Sequence, residues 1–142
     1  MMAFREKTAW LAIAGMLLGY VPFFLALGRE AENGGPTIVR FLLLLAIASL
    51  VRVVIEVGGR ILVAVRMGAE ARGPADERDR AISARSSSFA YIVLLVGMIV
   101  VGMFMPFSNH GIAIVTAALI AIVAAELIRY LSIALSYRLG WQ

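Results

Sequence analysis

The stretch Phe41-Leu-Leu-Leu-Leu-Ala-Ile-Ala-Ser-Leu-Val51, running straight on into Arg52-Val-Val-Ile-Glu56-Val-Gly-Gly-Arg60, decides how this chain is read. Its first part is apolar and uncharged, as a segment surrounded by lipid has to be. In its second part Arg52, Glu56 and Arg60 recur every four residues, so on a helix they share one face. Charge at membrane depth is costly and persists where it has a partner or a task. The stretch therefore implies a membrane fold and names Arg52, Glu56 and Arg60 as the first candidates for a polar site. A second cluster, Glu126 and Arg129, stands in the last apolar stretch. The arrangement expected for the two clusters has them facing each other.

Composition agrees with this reading. Hydrophobic residues make up 62% of the 142, against roughly 45–50% in a soluble domain, and mean hydropathy is +0.93. Four apolar spans are expected, at about residues 8–27, 37–65, 86–107 and 112–137, with one long connection over 66–85. The expected fold is an all-α polytopic membrane protein, a four-transmembrane-helix bundle forming a single membrane domain over 1–142, with no room for a separate soluble domain. Arg5 and Lys7 ahead of the first span give it the start of a signal peptide. Its apolar run exceeds the roughly 7–15 residues of a signal core, so the span is expected to stay.

Several function classes are set aside by what is missing. The chain has no cysteine and one histidine, His110, which removes disulfides, thiolate metal sites, cysteine nucleophiles and a bis-histidine haem within one chain. His110 lies in the uncharged turn Ser108-Asn-His-Gly111, far in sequence from any carboxylate, and reads as a turn residue rather than a metal ligand. There is no His-Glu-x-x-His, Gly-x-Ser-x-Gly or phosphate-loop motif, so neither an enzyme nor a cofactor is expected. The net charge of +4, arginine throughout except for Lys7, follows membrane topology rather than a nucleic-acid partner.

Smaller signals punctuate the spans. Gly15 and Gly19 form a GxxxG pair that lets another helix approach, and Pro22 should kink the first span near its far end. Asn33-Gly34-Gly35 marks a tight turn, with Pro36 suited to a first helical position. The second span is longer than a bilayer core requires, so Arg60 can snorkel to the headgroups, while Arg52 and Glu56 need partners. Pro74-Ala75-Asp76-Glu77 reads as a helix start, with an Asp76–Arg80 pair, well before the third apolar run from Phe89 to Phe107 and its proline at Pro106. In the last span Ala113, Ala117, Ala121 and Ala125 repeat every four residues and Arg129 continues the row, which predicts a face packed against protein.

Counting charge gives orientation. Arg5, Lys7, Arg66, Arg72, Arg78, Arg80, Arg85 and Arg138 fall on one side and only Arg29 and Arg40 on the other, which places both termini and the 66–85 loop in the cytoplasm. The halves also rhyme: Ala9-Trp10, Gly15-Met16 and Pro22-Phe23 are followed later by Ala90-Tyr91, Gly97-Met98 and Pro106-Phe107, a 2+2 parallel repeat with unequal spacing.

The opening Phe4-Arg-Glu-Lys-Thr-Ala-Trp10 and the juxtamembrane Asp76-Glu-Arg-Asp-Arg-Ala-Ile82 resemble small, uncharacterised four-span bacterial inner-membrane proteins, some encoded beside helix-turn-helix regulators. The resemblance implies an inner-membrane address and a regulatory context, and it carries no catalytic residue. Two functions of different class remain open. One is a small oligomeric transporter or binding protein for an anionic or amphiphilic solute, held by Arg52. The other is a non-transporting regulatory or scaffold protein that meets a cytoplasmic protein through its arginine-rich loop. For the charges themselves, a network that only fixes helix register explains the residues as fully as a ligand site does.

Overall fold

Helices α1 (Phe4–Glu32), α2 (Ile38–Met67), α3 (Glu77–Ile99) and α4 (Ile112–Leu139) account for nearly all the described chain, and the helical segments 4–32, 38–67, 77–107 and 112–139 are each long and apolar enough to cross a membrane. The computed structural model describes residues 4–68, 76–109 and 111–139. Arg72, Gly73, Pro74, His110 and Trp141 lie outside the described residues. The chain divides into two compact units, 1–73 and 74–142, each a helical hairpin. Large apolar side chains such as Leu42, Leu43, Ile47, Leu50 and Val54 on α2 are exposed, which in water would be untenable and in lipid is the ordinary state of a spanning helix.

The first hairpin turns where the sequence placed its glycines. Gly34 and Gly35 adopt φ of 97° and 88°, conformations that side chains strongly disfavour. The backbone N–H groups of Asn33 and Gly35 both donate to the Glu30 carbonyl, closing the end of α1, and Thr37 caps α2 by accepting from the Arg40 N–H. A salt bridge between Arg40 and Glu30 spans the turn. The helices then close by backbone approach. A Cβ on Gly19 would stand 2.7 Å from the Ala48 carbonyl oxygen, and one on Gly15 would be 3.4 Å from that of Arg52. The GxxxG pair is thus the surface on which α2 lies. Phe23 packs edge-on against Phe41 nearer the turn, and Leu11 lies over Gly59 toward the other end. α1 runs on through Pro22 for ten further residues.

In the second hairpin α3 starts at an acid-rich cap. Asp76 accepts from the Glu77 N–H, and the Asp79 side chain accepts from the Asp76 N–H, a reciprocal box that satisfies donors left over at a helix start. Asp76 therefore serves the cap, and its expected pairing with Arg80 is replaced by a backbone bond from the Arg80 N–H to the Asp76 carbonyl. α2 reaches Met67 and α3 begins at Glu77, ahead of the apolar run that opens at Phe89. At its far end α3 widens into a π turn, Val100–Phe104, and tightens into a 3₁₀ turn, Met105–Phe107. The cause is Pro106, which has no N–H and whose ring would strike the carbonyl four residues back, so the helix changes pitch ahead of it.

α3 and α4 close on Gly97, where a Cβ would come within 2.6 Å of the Ala121 Cβ. Of the alanine row, Ala121 and Ala125 are buried, Ala117 is half-buried and Ala113 is exposed, as is Arg129 at the other end. A row of residues four apart overshoots each turn by about 40°, so on an α-helix it winds around the surface. Only its middle meets α3, and the expectation of a continuous packed face ending in a buried arginine is corrected accordingly.

Candidate functional site

Gly19 fixes the depth of the charged ladder. Because α2 crosses α1 at Gly15 and Gly19 with Ala48, Arg52 and Ile55 opposite, Arg52 lies level with the middle of the apolar run of α1. Glu56 is one turn further along and Arg60 two, level with the start of that run, where Leu11 covers Gly59. The ladder thus descends from mid-span to the margin along one face of α2.

Its contacts follow. Arg52 Nε stands 3.6 Å from Glu56 Oε2, and Arg60 Nη2 donates to Glu56 Oε1 at 2.5 Å. The closer partner is the arginine that follows the glutamate, the favourable order for a pair four residues apart on a helix. Side chains of Arg52 and Glu56 are only 18% and 16% exposed, against 47% for Arg60. Arg52 also reaches across to α1: its Nη1 donates to the Tyr20 hydroxyl at 3.4 Å, and its guanidinium carbon lies 5.7 Å from the Tyr20 ring centroid. An aromatic face and a hydroxyl together replace part of the water an arginine loses at this depth. Glu56 thus stands between the guanidinium groups of Arg52 and Arg60 and contacts both.

Tyr20 is the member that the sequence reading missed. Its signal was its position directly after Gly19: whatever helix uses the glycine pair passes within reach of the next side chain, and a phenol in mid-span is unusual where tyrosines favour interfaces.

The other charged candidates lie in the second hairpin, where their level is set by its own helix contacts. With Gly97 opposite Ala121 and Asp79 bonded to Tyr137, Arg129 comes level with Phe89, the first residue of the apolar run of α3. Arg129 is exposed, its guanidinium 5.9 Å from the Tyr130 ring centroid, and Glu126, nearly one turn deeper, is half-buried. These two stand at the margin of the apolar layer rather than at its centre.

Long apolar helices and an ionic network at mid-depth define a multi-pass, all-α membrane protein. Compared with known proteins, the chain matches no family model, no curated protein and no solved structure.

Proposed function

We propose that this is a non-enzymatic protein of the bacterial inner membrane, with both termini cytoplasmic, that binds an anionic or amphiphilic solute and, as a small oligomer, moves it. The observation that carries this reading is the arginine kept at mid-span: Arg52 stands beside Glu56, which also holds Arg60, and is held against Tyr20 of α1. An arginine kept at that depth is suited to hold an anionic group that enters from either side. The orientation rests on the arginine bias. Reporter fusions after Leu139 should read cytoplasmic and fusions at Asn33 external, and the reverse result would invert the topology.

The test uses purified protein in a neutral maltoside detergent, titrated with decyl phosphate or with uncharged decyl maltoside. Wild type should melt higher with the phosphate alone. The double variant Arg52→Leu with Glu56→Leu should fold, because it removes both partners of the pair together, and should lose that response. A folded double variant that still responds would exclude Arg52 as the binding group. A regulatory or scaffold role remains a second reading, favoured by the start of α3 at Glu77, which carries exposed Arg78, Arg80 and Arg85 ahead of the apolar run. Under that reading Arg78→Glu with Arg80→Glu would abolish a deletion phenotype's rescue while leaving the decyl phosphate response intact.

A further inference from the structure

The second hairpin holds a cavity that the mid-span cluster does not use. It has a volume of about 150 Å³ and is lined by Arg85, Ser86, Ser132 and Ser136 on its polar side and by Phe89, Leu135 and Leu139 on its apolar side. One water needs roughly 15 Å³, so this space accepts a group of several heavy atoms. Ser86 is 1% exposed and lines this space, so the polar side of the cavity includes a hydroxyl-bearing residue withdrawn from the surface. Arg85, itself exposed, lies with its guanidinium carbon 5.8 Å from the Phe89 ring centroid.

Depth narrows the ligand. Phe89 opens the apolar run of α3, Arg85 is one turn outside it, and the Asp79–Tyr137 bond lies beyond, so the cavity straddles the boundary between apolar layer and headgroups. Arg129 precedes Ser132 by three residues and so neighbours it on α4, adding a second cation at the same level. Arginine and serine hydroxyls against an aromatic ring and two leucines match a phosphodiester with an acyl chain below it, the arginine taking the phosphate oxygens. We propose that this cavity binds the phosphate headgroup of an anionic membrane phospholipid. The site is independent of the cluster at Arg52.

Native mass spectrometry of the full chain in neutral detergent, supplied with dioleoylphosphatidylglycerol or dioleoylphosphatidylcholine, tests this directly. Wild type should retain one phosphatidylglycerol in preference to phosphatidylcholine. Arg85→Gln should weaken that retention roughly tenfold to a hundredfold, the scale of one hydrogen bond to a charged group, and Arg85→Lys should restore part of it. Ser132→Leu fills the cavity without touching its charge and should also lose the lipid, while Arg40→Gln, exposed at the turn of the first hairpin, and Arg52→Leu with Glu56→Leu should keep it. No lipid preference in wild type, retention by both Arg85→Gln and Ser132→Leu, or loss in the Arg52 and Glu56 variant would each overturn the proposal. So would displacement of the lipid by millimolar inorganic phosphate, which would make the site one for a soluble anion.

Discussion

The two hairpins share a plan and differ in where they keep their polar groups. Each brings a glycine of its first helix against its second helix, Gly19 to Ala48 in one and Gly97 to Ala121 in the other. In the first, that contact carries Arg52 and Tyr20 into the middle of the apolar layer. In the second, the middle is alanine, and Asp79, Arg85, Ser86, Arg129, Ser132 and Tyr137 gather at one end. Close helix contact alone therefore does not demand a polar core. The first hairpin accepts the cost of desolvated charge in the middle of its own apolar run, which is the strongest reason to look for function there.

The sharpest way to break this contrast is to remove one charge from each hairpin. Glu56→Leu removes the carboxylate that Arg52 and Arg60 share and should cost about 3–5 kcal/mol, most of it returned when Arg52→Leu is added. Arg129→Leu, at the exposed margin, should change stability by only about 0–1 kcal/mol. Melting in detergent, or unfolding by a denaturing detergent, measures both. Equal losses would mean that Arg129 is as deeply embedded as Arg52 and would remove the difference in depth.

A smaller effect separates the two helix contacts. Gly19→Ala presses a methyl against the carbonyl of Ala48, which belongs to the backbone, whereas Gly97→Ala presses it against the methyl of Ala121. Both should destabilise by about 1–3 kcal/mol, the range for overfilled packing. Only the second can be cured by trimming its neighbour: Ala121→Gly should rescue Gly97→Ala, and Ala48→Gly should leave Gly19→Ala as unstable as before. Gly28→Ala, with nothing within 4 Å, serves as the reference and should be neutral or slightly stabilising. Rescue of Gly19→Ala by Ala48→Gly would show that the first hairpin is held by side chains after all.

How much of this was legible beforehand follows from the range of each signal. The spans, the Asn33-Gly34-Gly35 turn and the helix start at Asp76 are local: hydropathy, positive φ and capping are written within a few residues of where they act. The disturbance at Pro106 was legible in place but not in kind, since a missing N–H says that a helix must adjust and not that it will widen over Val100–Phe104. The alanine row misled because a stripe drawn at four-residue steps ignores the winding of a 3.6-residue helix. Tyr20 and the cavity at Ser86 were hidden for a different reason. Both depend on the register between two helices, and that register was set by Gly19 and Gly97, whose partners no single-helix pattern names.

The mildest difference between the hairpins is at the ends away from their turns. In the first, Lys7 Nζ approaches the Met67 sulfur at 3.5 Å, a weak contact of a flexible cation with a poor acceptor. In the second, the Tyr137 hydroxyl donates to Asp79, the same carboxylate that completes the cap of α3, so one residue ties the start of α3 to the end of α4. Tyr137→Phe keeps the ring and removes only that bond, and should cost about 1–2 kcal/mol, as expected for a hydrogen bond to a charged group at a partly wet site. In an Asp79→Ala background the same change should cost almost nothing, since the acceptor has gone already. Lys7→Met should stay within about 0.5 kcal/mol of wild type, as surface changes generally do. A Tyr137→Phe loss that persists in the Asp79→Ala background would assign the effect to ring packing, and the second hairpin would then be no more firmly tied at this end than the first.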